Sequence, residues 1–140
     1  MVIKNFKIIF ALMILIICLL AGCGDNQFDK DYSKFKESYL KITDVLDSKE
    51  PFSSIQKLNN DPVLKEFDEI KDMVSKLNNE ASSKSEKRIC DNVTKYFDGL
   101  EFLQYAAKNK DNLSEDERGR IATELTLVEM HRSSIKRGEV

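Results

Sequence analysis

From Phe28 onward, apolar residues recur at steps of three and four, the spacing that gathers side chains on one face of an α-helix. The first such stripe is Phe28, Tyr32, Phe35, Tyr39, Ile42 and Leu46, which predicts a helix on the order of 30 Å long. Ser48-Lys49-Glu50-Pro51 breaks it, and Phe52 to Leu58 has room for about two helical turns before Asn59-Asn60. Asp61-Pro62 then reads as a start: Asp offers an N-cap oxygen, and Pro fits a first turn whose N–H groups have no partner. Val63, Phe67, Ile70, Val74 and Leu77 form the stripe that follows, ending at Asn78-Asn79.

Two capping boxes open the remaining helices, Ser83 with Glu86 and Ser114 with Glu117. Behind the first runs the longest stripe, Ile89, Val93, Tyr96, Leu100, Leu103 and Ala107. Behind the second come Ile121, Leu125, Val128 and, at the far end, Ile135, with Asn109 to Asn112 as the loop between. Strictly alternating β-branched runs are absent, and the whole chain holds only five Gly and two Pro. The pattern therefore predicts an all-α fold of about four long helices and one short one. Short connections favour antiparallel neighbours, hence a small up-down bundle over residues 28–140.

The first 25 residues follow different rules. Lys4 and Lys7 are the only charges before Asp25, and Ile8 to Leu20 is an uncharged run. It is short for a bilayer-spanning helix, which takes roughly 20 apolar residues. A basic start, an apolar stretch and small residues before a cut make an export signal. Leu20-Ala21-Gly22-Cys23 at its end resembles the lipobox of bacterial lipoprotein precursors, a resemblance confined to Met1–Cys23. The resemblance implies a signal peptide over 1–22, cleavage after Gly22, and a diacylglycerol thioether on Cys23 as the new N-terminus. Residues 23–27 would be a short lipidated tether, at most about 15 Å when extended, holding the bundle against the extracytoplasmic face of the cell membrane.

Cleavage there would leave a chain long enough for one modest core and too short for two. All 24 acidic residues lie beyond Gly22. With basic residues interspersed, the balance argues against nucleic acid as a partner and against a polybasic contact with headgroups. Attachment would rest on acyl chains, of which stable anchoring takes two or more. Of three cysteines, Cys18 leaves with the signal and Cys23 is taken by lipid. Cys90 is left without an intramolecular partner; beside Ile89 and Val93 it reads as a small buried hydrophobe, the alternative being a reactive or intermolecular thiol.

Candidate chemistry is sparse. His131 is the only histidine and has no second His at metalloprotease spacing. It lies at the margin of the last stripe, near a helix C-terminus that favours a cation, so it reads as structural. The acidic loop Asn109–Glu115 fails as a calcium loop, because Leu113 stands where an oxygen is needed and no Gly follows. Glu115-Asp116-Glu117 instead suits the positive end of a helix, with Arg132, Lys136 and Arg137 toward the other end. No nucleophile elbow, phosphate loop or dinucleotide fingerprint occurs. No catalytic, cofactor or metal residue is therefore assigned.

One feature departs from the simple pattern. Phe102 and Tyr105, flanked by Ala106, project roughly opposite to the Ile89/Val93/Leu100 side of the longest helix. They are either covered by another element, the preferred reading for so apolar a helix, or a partner-contact patch. The combined expectation is a non-enzymatic, lipid-anchored module that binds a membrane or envelope protein, of the immunity, entry-exclusion or envelope-accessory kind. The alternative is an envelope enzyme acting on cell wall or lipid, which would need converging carboxylates in a cleft.

Overall fold

The computed structural model describes residues 26–139. The segment expected to be a signal peptide, with Gly22 and Cys23, lies outside them. The described chain is all helix and loop: α1 (Gln27–Thr43), α2 (Pro51–Gln56), a 3₁₀ turn (Lys57–Asn59), α3 (Asp61–Glu80), α4 (Lys84–Lys108) and α5 (Glu115–Arg137).

Side-chain pairs fix the directions of these helices. Late α1 meets early α3 through Lys41 and Glu66, 3.3 Å apart. The end of α3 meets the start of α4 where the Cys90 thiol donates to the Leu77 carbonyl at 3.3 Å. Early α5 lies over late α4, with the Arg120 guanidinium 4.0 Å from the Phe102 ring. Late α5 returns to mid-α4, where His131 and Tyr96 have ring centroids 3.7 Å apart. Each long helix thus runs against the one before it. α1 packs mainly on α3 and also on α5, while α4 packs on α3 and α5, which closes a four-helix up-down bundle.

The short α2 crosses one end. Gln56 and Asn59 both donate to the Ala107 carbonyl at 3.3 Å, satisfying an acceptor at the end of α4 that the helix itself leaves open. The loop before α2 is tied to α5, because Glu129 accepts from the Ser48 N–H (3.0 Å) and hydroxyl (2.9 Å).

One core runs through the bundle. Phe28, Phe35, Tyr39, Ile42, Ile70, Leu77, Leu100, Leu103, Ile121 and Leu125 are all at most 1 % exposed. These are stripe residues, so helical spacing located the core correctly. Ile89 and Val74 pack only at its margin. Cys90 is buried, in keeping with its reading as a small hydrophobe, and burial pushes its thiol pKa up.

Both capping boxes form, and the first does more than cap. Glu86 accepts from the Ser82 and Ser83 N–H groups, each at 2.8 Å, and from the Ser82 hydroxyl at 2.9 Å. It also accepts from Asn26 of the α1 cap at 2.9 Å, so the start of the described chain is pinned to the α3–α4 turn. These donors favour the carboxylate and pull the Glu86 pKa down to about 2, the Ser83 backbone contributing most.

Helix ends differ from the sequence reading in three places. Asn60, not Asp61, is the N-cap of α3: its extended backbone lets its carbonyl accept from Val63 and Leu64, with Asp61 already helical. α3 continues through Asn78-Asn79 to Glu80, because the Asn78 amide folds back onto the Val74 carbonyl (2.9 Å) instead of breaking the turn. α1 stops at Thr43, before the Ser48–Pro51 breaker. There the Thr43 hydroxyl bonds back to Tyr39 O (2.8 Å), and Arg132 of α5 caps Thr43 O (2.8 Å).

Candidate functional site

The aromatic pair of α4 divides at the α4–α5 seam. Phe102 is partly buried against the core, with Arg120 stacked on its outer face at 4.0 Å. Tyr105, whose ring centroid lies 6.4 Å from that of Phe102, is 47 % exposed. Glu117 stands beside it, and the carboxylate raises the phenol pKa. Ala106, the supposed flank of the pair, is fully buried. Packing and exposure both occur, one on each residue.

Along the same seam from Arg120 lies a cleft of about 370 Å³, lined among others by Lys95, Asp98, Gly99, Glu124, Leu127 and His131. Gly99 makes it possible. A Cβ there would come within 3.0 Å of Glu124 Oε2, so only glycine leaves room for that carboxylate to lie across α4 unshifted. Arg120 Nε holds the same carboxylate at 2.9 Å. Of the two carboxylates in the cleft, Glu124 is thus already paired with a cation, while Asp98 faces solvent. The arrangement presents charges of both signs on an aromatic floor, which suits recognition of a polar surface.

His131 closes the end away from Arg120, stacked on Tyr96 at an interplanar angle of 25°. Its Nδ1 is buried without a hydrogen-bond partner. Burial lowers its pKa from the ordinary 6.5, only partly opposed by the charge of Glu124. The imidazole is therefore neutral at pH 7 in the folded chain. Because the folded pKa lies below the unfolded one, the unfolded chain binds the proton more readily, and its stabilising contribution is lost as pH falls below 6.5. Urea melts between pH 7.5 and 5 should show stability falling with acidity, and His131→Gln should flatten that slope. An unchanged slope in the variant would assign the effect to other groups.

No protein family, curated protein or solved structure matches this chain. The site must be judged on its own geometry.

Among the described residues no group of three or more His, Cys, Asp and Glu is placed to hold a metal ion. The Asn109–Glu115 loop turns Leu113 into the core and spends Ser114 on capping α5. Asp31 of α1 is nearly fully buried. A hydrogen bond from Gln27, at 2.9 Å, is the main cause that lowers its pKa, against burial and with help from Lys34 and Lys76. Its hydrogen-bond and ion-pair partners, Gln27 and Lys34, both lie on α1 itself. No described helix is long and apolar enough to cross a membrane.

Proposed function

We propose that this chain is a bacterial lipoprotein whose helical bundle is held at the outer face of the cytoplasmic membrane by lipid on Cys23, where it binds another membrane or envelope protein. The lipobox-like Leu20-Ala21-Gly22-Cys23 behind a basic and apolar leader carries this reading. The α4–α5 seam supports it with a surface of suitable chemistry: an exposed tyrosine beside a stacked arginine, two residue types that dominate interface energies. The bundle would act by occupying a partner, as immunity, entry-exclusion and envelope-accessory proteins do, with no bond made or broken.

The two aromatics give the test. Tyr105→Ala removes a half-exposed ring and should leave the melting temperature nearly unchanged while weakening partner capture. Phe102→Ala takes away a ring packed between the core and Arg120, at a cost of about 2 kcal/mol, less than the 3–5 typical of a fully buried Phe. A photo-crosslinker at position 105, in intact cells, should join the chain to one specific envelope protein, and the yield should fall when Arg120 is replaced by Glu. Equal capture by wild type and Tyr105→Ala, with no adduct from position 105, would rule out this face as the binding surface.

A further inference from the structure

The charge balance of the whole chain conceals a local asymmetry. The start of α1, the end of α3 and the start of α4 meet at one end of the bundle, where Asn26 donates to Glu86 at 2.9 Å. Within the five terminal residues of each helix there, the exposed cations are Lys30, Lys76, Lys84, Lys87 and Arg88, and the exposed acid is Asp29 alone. Among the described residues none of these cations enters an ion pair. The other acids at this end are drawn inward. Asp31 is buried beside Lys34, 3.7 Å away, and Glu80 is half-buried. Glu86 is bound by Asn26, Ser82 and Ser83. At the opposite end exposed charges of both signs are mixed, as in Asp47, Lys49 and Glu50 or in Lys110, Asp111 and Glu115.

Lys84, Lys87 and Arg88 fall within about 100° of one another around α4, on the side opposite the buried Val93. Asp91 shares that side but lies about 10 Å further along the helix than Lys84, so a surface laid against this end meets the cations first. The start of a helix disfavours cations. These charges therefore do not serve α4 itself. The chain leading to this end runs back to Cys23, three residues before Asn26 and at most about 11 Å from it. That reach is comparable to the Debye length of about 8 Å at physiological ionic strength. An anchor on Cys23 would hold these cations within the field of the headgroups.

We infer that this end of the bundle docks on anionic phospholipid headgroups, with Lys84, Lys87 and Arg88 as the main contacts and Lys30 and Lys76 beside them. The inference rests on the lipid anchor proposed above, which supplies the proximity, while the cations supply the orientation. They add to the acyl chains and do not replace them. It also reverses the expectation drawn from the balance of the whole chain, because the acids that offset these cations lie elsewhere on the surface or inside.

Vesicles carrying a headgroup-linked quencher read the docking. In the full chain purified with its lipid, a fluorophore is placed on Asn79→Cys, an exposed position in the last turn of α3. Cys90 is buried and takes no label. Quenching should be strong on equimolar phosphatidylcholine and phosphatidylglycerol, weak on phosphatidylcholine alone, and lowered to the weak value by high salt. A fluorophore on Asp111→Cys, at the opposite end, should stay unquenched on both. Each cation near an anionic surface is worth roughly fivefold, so Lys84→Gln, Lys87→Gln and Arg88→Gln together should lower the ratio of docked to undocked chain on the order of a hundredfold, with helical circular dichroism retained. Lys57→Gln, Lys108→Gln and Lys110→Gln together should leave the quenching unchanged. Anchoring to both vesicles with equal quenching at position 79, or equal loss from the two triple variants, would overturn the proposal and leave the lipid anchor standing. A chain that joins neither vesicle would overturn both readings.

Discussion

Replacing Cys23 with serine is expected to abolish lipid labelling, leave the precursor uncut after Gly22, and free the folded bundle from the membrane once the leader is removed by other means. The effect should be the largest of any single substitution. Each buried methylene of an acyl chain contributes about 0.8 kcal/mol, so losing a diacyl group removes essentially all membrane affinity. No described helix can replace it as a span. Metabolic labelling with a fatty acid, followed by fractionation, reads the outcome. A Cys23→Ser chain that stays with membranes as a processed, unlabelled protein of wild-type size would sink the lipoprotein reading.

The second large effect lies in the core at Tyr39. Its ring is wholly buried and lies 5.8 Å, centroid to centroid, from both Phe35 and Tyr96. Tyr39→Ala should cost about 3–5 kcal/mol, a large share of the roughly 5–15 kcal/mol that holds a typical domain together. Its hydroxyl behaves differently. The oxygen is buried with no hydrogen-bond partner, and burial drives its pKa far above the ordinary range. An unpaired buried polar group is a cost, so Tyr39→Phe should be neutral or stabilising. Urea melts of the three proteins test both halves. A Tyr39→Phe chain weaker by more than about 1 kcal/mol would mean that the hydroxyl has a partner, such as a bridging water.

Tyr39 marks what is and is not legible in the sequence. Tyr39 sits in a stripe of clear helical period, so its burial followed from spacing alone. That its oxygen would be stranded did not, since this depends on which groups α4 and α5 bring against it. Phe102 and Tyr105 show the same limit. Three residues apart on one helix they differ by about 60°, enough for one to fall under Arg120 of the next helix and the other to stay outside. The cleft across Gly99 depends on Glu124 arriving from another helix and leaves no local signal. On α5 a signal did exist: the exposed, uncharged positions 122, 123, 126, 127, 130 and 133 keep helical spacing opposite the stripe. Periodicity finds the face that is apolar; only the packed neighbours show which second face is left bare.

The hydrogen bond from Asn26 to Glu86 also sets a height limit. It places the start of α1 at the same end as the α3–α4 turn, and only Gly24 and Asp25 separate Asn26 from Cys23. With lipid on Cys23, that end is the foot of the bundle, and α4 rises from it. Tyr105 is then at most about 32 Å above the level of Lys84 along the helix. A partner touched at the α4–α5 seam must carry its matching surface inside that layer. Its stalk, loop or helix has to emerge close to the bilayer, and structures held further out pass over the top of this protein.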